Sequence, residues 1–136
     1  MRICLIRSAF GVVVISVVLV VIADGEESVR RKLAALIAQT PDIILVDEGT
    51  DGLTAARLAR RLRPDAVVMD VDIHAGAGIH AVKTILSESP SVRIVVFANG
   101  LHAKDKALFL KAGAEVCISK SQPMEMIVGA IRSERP

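Results

Sequence analysis

The chain has 136 residues, of which 52% are apolar and 24% are charged, and its net charge is +2 at pH 7. This length is enough for one domain with a single core, and the interspersed charges exclude an extended basic face for nucleic acid. The two cysteines, Cys4 and Cys117, have no CxxC spacing, which argues against a metal site or a disulfide framework. The lack of a disulfide framework favours a reducing compartment, so we expect a cytoplasmic protein.

The beginning of the chain is strongly apolar. Ser8 to Ala23 is an uncharged run of 16 residues, which is shorter than the roughly 18 to 20 residues that a membrane span needs. The run is rich in Val and Ile, which favours a buried strand over a membrane or secretory segment. We therefore predict a first strand at Val17 to Ala23, preceded by an apolar extension of residues 1–16. Within that extension Met1 to Ile6 would form a short additional strand, with Gly11 in the turn.

The rest of the chain alternates between predicted strands and helices. Short apolar segments bounded by turn residues predict strands, and apolar residues that recur at i, i+3, i+4 and i+7 predict helices. The further strands are predicted at 43–46, 66–69, 92–97 and 116–119, and the helices at about 26–39, 51–62, 79–86, 104–112 and after Pro123. Five βα units in strict alternation imply a parallel sheet with helices on both faces.

Three polar residues follow the ends of predicted strands. Asp24 follows the first strand, Asp70 the third and Lys120 the fifth, and this edge of an open α/β sheet is where ligands bind. Together they resemble the receiver domain of two-component response regulators. Two further segments, Leu62-Arg63-Pro64-Asp65 and Lys111-Ala112-Gly113-Ala114, are similar to those of NarL/FixJ-type receivers.

The resemblance implies both a fold and a site. The fold is a doubly wound five-stranded parallel sheet, flavodoxin/CheY-like, with strand order 2-1-3-4-5, over residues 17–134. In the site, Asp70 would be the phosphoacceptor and Lys120 the cation that pairs with the phosphoryl group. Mg²⁺ would be held by Asp24, Asp70 and the backbone carbonyl of Asp72.

Several positions depart from the family pattern. Gly25 stands where a second acid is expected, Ala98 where a Ser or Thr hydroxyl is expected, and Cys117 at the position of the aromatic switch residue. Asp72 adds a negative charge near the acceptor, and His74 occupies a position where proline is common. These departures predict weak or absent Mg²⁺ binding and an atypical receiver that acts mainly through protein–protein interaction. Its partner would be a histidine kinase or another signalling protein, and we expect no enzymatic activity.

Two alternative functions remain open. The segment from Val67 to Ile73 resembles the DxD strand end of haloacid-dehalogenase-like phosphatases, with Asp70 and Asp72 as nucleophile and acid/base. That motif normally ends the first strand of the core, whereas here it ends the third. The other alternative is the receiver half of a DNA-binding transcriptional regulator, although these residues contain no helix-turn-helix.

The remaining charged, histidine and apolar groups have simpler interpretations. We interpret the basic cluster on the second helix as a solvated face and the three histidines as unrelated surface residues; these groups are Arg57, Arg60, Arg61, Arg63, His74, His80 and His102. Apolar residues of the last two helices would either pack in the core or form a homodimer face; they are Leu108, Leu110, Met124, Ile127 and Ile131.

Overall fold

The computed structural model describes residues 2–71 and 77–132, so the predictions for Asp72 and His74 lie outside the described residues. Within these ranges the strands are β1 (Arg2–Ser8), β2 (Gly11–Ala23), β3 (Ile43–Gly49), β4 (Ala66–Met69), β5 (Arg93–Ala98) and β6 (Val116–Ser119). The helices are α1 (Glu27–Ala38), α2 (Gly52–Leu62), α3 (Ala77–Glu88), α4 (Ala103–Ala112) and α5 (Glu125–Ile131).

The predicted α/β class is confirmed. Five strands run parallel in the order β3-β2-β4-β5-β6, which is 2-1-3-4-5 when the parallel strands alone are numbered. The strand β1 adds an antiparallel pair to this sheet, so the described sheet has six strands, of which five are the predicted parallel ones. The helices cover both faces of the parallel part, because the right-handed crossover from β2 to β3 runs across the sheet in the opposite direction to the crossovers that follow it.

Two apolar clusters fill the space between the sheet and the helices. One cluster lies under α2, α3 and α4 and includes Val21, Val67 and Phe109. The other lies under α1 and α5 and includes Val20, Leu33 and Ile127. Alternate residues of β2 thus enter opposite clusters, as the two-residue period of a strand requires.

The first parallel strand is longer than predicted. β2 begins at Gly11 rather than Val17, and it pairs with β1 from Arg2 opposite Val17 to Ser8 opposite Gly11. The predicted additional strand is therefore present as β1, and the turn lies at residues 9–10. The Val- and Ile-rich run contains no residue that would end a strand between 11 and 17, so β2 continues through it. The predicted division between residues 16 and 17 falls inside this one strand.

We use the name "arm" for residues 2–16, which comprise β1, its turn and the first part of β2. In the described part of the chain, no helix is long and apolar enough to cross a membrane.

On the last helix, two of the residues considered for either core packing or a homodimer face lie in the core. Ile127 and Ile131 are 1% and 0% exposed and belong to the core under α5, because the apolar side of this short helix packs onto β4, β5 and β6. Of the predicted residues, Leu108 and Leu110 on α4 remain about half exposed.

Candidate functional site at the carboxyl edge of the sheet

The backbone of the parallel sheet positions the three predicted site residues. The amide of Asp70 donates to the carbonyl of Ala23 at 2.8 Å, and the amide of Lys120 donates to the carbonyl of Ala98 at 3.1 Å. The amide of Asp24 donates to the carbonyl of Gly49 at 3.0 Å. Each residue thus continues its strand's hydrogen bonding by one step, so its side chain leaves from the same edge of the sheet.

The Lys120 ammonium lies among three carboxylates. Its Nζ is 2.8 Å from Asp24 Oδ2, 3.3 Å from Asp70 Oδ2 and 3.7 Å from Glu26 Oε1. The side chains of Lys120 and Asp24 are 8% and 2% exposed, whereas that of Asp70 is 31% exposed. The ammonium of Lys120 and the carboxylate of Asp24 are therefore buried. Of the two aspartates, Asp70 is the one that a solute can reach.

Burial and neighbouring charges shift the pKa values of Asp70 and Lys120, and the net shift of each is upward. Burial raises the pKa of Asp70, and the nearby Asp24 carboxylate raises it further, while Lys120 opposes both. Burial alone would lower the pKa of Lys120, but its ion pair with Asp24 and the charge of Asp70 raise the pKa above its ordinary value. Lys120 consequently remains a cation throughout the physiological pH range.

Asp24 is fixed by contacts that the sequence did not reveal. Its Oδ1 accepts from the amide of Glu26 at 2.8 Å, and its carbonyl accepts from Arg30 Nη1 at 2.7 Å. Glu26 is the residue at the N-cap of α1, so the aspartate also stabilises the start of that helix. Arg30 lies one turn into α1, and its only sequence signal was a basic residue six positions after the strand-end aspartate.

The aromatic ring of Phe97 is a second feature that sequence reasoning missed. Lys120 Nζ lies 5.9 Å from the centroid of this ring, which is at the outer limit for a cation–π contact. Phe97 is 2% exposed and belongs to β5, the neighbour of β6, which Lys120 follows. Its alternating position in a buried strand was visible in the sequence, but its place beneath the lysine depends on the sheet order.

The structure also shows the surroundings of Gly25, one of the positions that differ from the family pattern. Gly25 lines a cleft of about 380 Å³ together with Asp51, Asp70 and Val71, and a Cβ added to Gly25 would meet Thr50 O at 3.6 Å, an ordinary contact distance. The position therefore has room for an acidic side chain.

The two predicted switch positions lie on neighbouring strands. Ala98 is the last residue of β5 and is fully buried, while Cys117 on β6 is a free, half-buried thiol whose pKa is raised by burial. Neither side chain offers a hydroxyl or an aromatic ring.

The other candidate groups lie on the surface. His80, His102 and all four arginines of the basic cluster are exposed, and two of those arginines pair with acids: Arg60 with Glu88, and Arg61 with Asp47. His102 serves as the N-cap of α4. These placements agree with the interpretation of the cluster as a solvated helix face.

Comparison with known proteins identifies the protein family that has this fold and this site. The family model described as the response regulator receiver domain matches residues 20–132. The chain belongs to this receiver domain family, and the resemblance noted in the sequence is confirmed.

The relatives and solved structures are mostly NarL-like regulators. The chain is 33% identical over 114 residues to the transcriptional regulatory protein LiaR of Bacillus subtilis, covering 84% of this chain and 54% of LiaR. It is 30% identical over 112 residues to the nitrate/nitrite response regulator protein NarL of Escherichia coli, covering 82% of this chain and 52% of NarL. The chain thus spans about half the length of the curated relatives it matches.

Solved receiver structures superpose on most of the chain. A two-component response regulator of the LuxR family from Aurantimonas sp. SI85-9A1 is similar with a TM-score of 0.79 at 30% identity, covering 87% of this chain and 84% of that structure. The receiver domain of a NarL from Mycobacterium tuberculosis gives a TM-score of 0.80 at 20% identity, covering 88% of this chain and 96% of that domain. The second similarity bears on the fold alone.

Proposed function

We propose that this chain is an atypical receiver whose Asp70 can accept a phosphoryl group but whose response to that group is largely lost. The observation that carries the proposal is the Lys120 ammonium, which lies 2.8 Å from Asp24 and 3.3 Å from Asp70. Next to Asp24 stands Gly25, at a position where the family has a second acidic residue. The acceptor and its cation are together, while one expected metal ligand and the switch groups are missing.

The chemistry assigned to Asp70 follows from its exposure and its neighbour. One carboxylate oxygen would attack the phosphorus of a small or protein-borne phosphoryl donor, and the bond from phosphorus to the donor would break as the acyl phosphate forms. Lys120 would neutralise the charge on the equatorial oxygens, because its ammonium already lies 3.3 Å from Asp70 Oδ2.

The residues at this edge fit a divalent cation only in part. Asp24 Oδ2 is buried without a well-formed hydrogen bond, and its contact is the ion pair with Lys120. Together with Asp70 it would hold Mg²⁺, which when bound adds positive charge next to the phosphoryl oxygens. Within residues 2–71 and 77–132, no group of three or more His, Cys, Asp or Glu side chains is arranged to hold a metal. Because Gly25 supplies no second carboxylate next to Asp24, we propose weak Mg²⁺ binding.

The loss of the switch is proposed from the residues at Ala98 and Cys117. An added phosphoryl group carries about −1.5 to −2 charges and three acceptor oxygens, but Ala98 has no hydroxyl with which to approach them. A ligand shifts a conformational equilibrium only by its differential affinity for the two states. With these contacts missing, phosphorylation would favour neither state strongly, and the output would be protein–protein interaction.

The wider biological role is proposed from the family. A histidine kinase, or another signalling protein, is the expected partner, and we propose a cytoplasmic location and no enzymatic activity. The alternative of a receiver half of a DNA-binding regulator is favoured by the names of the relatives, which include transcriptional regulators, and by the half-length match. Membership of the receiver family argues against the phosphatase alternative.

Backbone amide shifts with and without beryllofluoride and Mg²⁺ test this proposal. In the unaltered protein we expect shifts confined to residues near Asp70. In a Gly25→Asp, Ala98→Ser double variant, which restores an acid and a hydroxyl, we expect the shifts to extend into α4 and β6. Asp70→Asn is the matched control and should abolish the response in both backgrounds.

Two results would contradict the proposal. Shifts that spread through α4 and β6 of the unaltered protein would restore a conventional phospho-switch. No response near Asp70 in either background would remove its role as acceptor.

A further inference from the structure

The arm exposes apolar side chains on both of its faces. One face, here called the Leu5 face, consists of Ile3, Leu5, Val12 and Val14, which are 59–67% exposed. The opposite face, called the Ile6 face, consists of Cys4, Ile6, Val13 and Ile15; Ile6 and Val13 are 45% and 49% exposed, and the other two are partly buried. Phe10 at the turn is fully exposed. Isolated exposed apolar residues are ordinary, but a contiguous patch of this kind marks an interaction surface.

The backbone of the arm is also incompletely paired. β1 pairs with β2 alone in the described part of the chain, so its outer edge carries unpaired N–H and C=O groups. β2 pairs with β3 only from Val18 onward, which leaves a second free edge along residues 11–17. Proteins usually protect such edges with charges, prolines or bulges, yet the arm has only Arg2 and Arg7 as charged residues.

We propose that a second copy of this chain covers the arm, with the Leu5 faces of two copies packed against each other across a two-fold axis. The four side chains of the Leu5 face expose on the order of 450 Å² in each copy, so a two-fold interface through them buries roughly 900 Å² in total, the size of a weak, transient protein interface. This surface lies outside residues 20–132, the part of the chain that matches the receiver family.

The chemistry of the Leu5 face favours an identical partner. An apolar surface without charges at its centre meets no like-charge repulsion from an identical surface, and a two-fold interface brings identical surfaces together. Arg7 lies at the tip end of this face, so in a two-fold arrangement the two Arg7 side chains come to opposite ends of the interface, where water reaches them. Arg2 is engaged with Asp65 at the other end of the arm and offers no free charge for a partner of opposite sign.

A lipid bilayer is a less suitable partner for this surface. The two free edges of the arm would enter the membrane with unsatisfied backbone groups, which open sheets in lipid cannot tolerate. In a protein assembly the same edges remain at the rim, where they bind water or the second copy.

Sedimentation equilibrium across the micromolar range, with matched pairs of variants, tests the proposal. Leu5→Thr with Val14→Thr alters a cross-strand pair of the Leu5 face, and Ile6→Thr with Val13→Thr makes the corresponding change on the Ile6 face. Threonine keeps a strong strand preference, so the arm itself should persist in both. We expect the unaltered protein to dimerise and the first pair to raise the dissociation constant at least about 100-fold, because a two-fold interface loses each side chain twice. The second pair should change it less than about 5-fold.

Further outcomes separate the proposal from its competitors. Amide hydrogen exchange should show the arm of the Leu5→Thr, Val14→Thr variant still hydrogen bonded, which excludes unfolding as the cause of dissociation. A monomer at every concentration would overturn the proposal, and so would a monomer that floats with vesicles of phosphatidylcholine and phosphatidylglycerol. Equal dissociation by both pairs would overturn the assignment of the Leu5 face.

Discussion

The two halves of β2 have similar residues and opposite surroundings. Its carboxyl half ends in four fully buried residues, Val20 to Ala23, which have a strand on each side and helices on both faces. Its amino half, from Gly11 to Ser16, is mostly exposed and pairs with β1 alone. Val and Ile make strands in both places, but only neighbouring elements decide whether such a strand becomes core or surface. The buried half leads into the charged site, and the exposed half forms the arm.

The largest expected effect distinguishes the ion pair at the site that follows β2 from the ion pair at the base of the arm, where Arg2 lies opposite Val17. Lys120→Met should lower the free energy of unfolding by about 3 kcal/mol at pH 7, because it leaves Asp24 buried without its counter-charge. Arg2→Met is the matched change at the arm, where the pair with Asp65 is partly exposed, and should cost no more than about 0.5 kcal/mol. Urea denaturation of both variants measures the difference. Equal losses of unfolding free energy in the two variants would contradict the expectation that the buried pair contributes more than the exposed pair.

The next effect compares one substitution in the two halves of the strand. Val20→Ala removes two methyl groups from a side chain with no exposed surface and should destabilise the fold by about 2.5 kcal/mol. Val13→Ala makes the same change at a half-exposed position on the Ile6 face and should cost less than about 0.5 kcal/mol. Thermal and urea unfolding at low protein concentration, where association is minimal, gives both values. A large cost at Val13 would show that the arm is part of the cooperative core.

The smallest effect concerns Asp70. Its folded-state pKa is raised by burial and by Asp24, so its ionised form is disfavoured in the folded protein and costs stability above that pKa. Asp70→Asn should therefore stabilise the protein at pH 7 by up to about 1 kcal/mol, after allowance for solvent screening of a carboxylate that is 31% exposed. The gain should disappear as the pH falls through the raised pKa of Asp70, since the carboxyl is then neutral in the unaltered protein as well.

Chemical denaturation of Asp70→Asn and the unaltered protein between pH 3 and pH 8 checks this sign. A variant that is less stable at neutral pH would show that the attraction of Lys120 exceeds the burial of Asp70. The same variant should leave self-association unchanged, because Asp70 follows the carboxyl end of the sheet and the arm extends from the other end of β2.

The fold class and the position of the site could be predicted from the sequence alone. Alternation of short, wholly apolar strands with amphipathic helices predicted the α/β class, because such strands are apolar on both faces and each helix has one apolar side with which to cover them. Aspartates and a lysine directly after strands predicted the site's edge, since parallel strands end on one side. The absence of a carboxylate at Gly25 and of a hydroxyl at Ala98 was likewise visible without coordinates.

Other features were decided only by the tertiary structure. The position of Phe97 beneath Lys120 and the contact of Arg30 with the carbonyl of Asp24 depend on which strands and helices become neighbours. The predicted start of β2, at Val17, was wrong. A uniformly apolar run indicates a strand, but it does not indicate which part of that strand is covered by neighbouring elements. Burial of Ile127 and exposure of Leu5 follow from the same physical fact: side chains of similar hydrophobicity become core or surface according to the elements that pack over them.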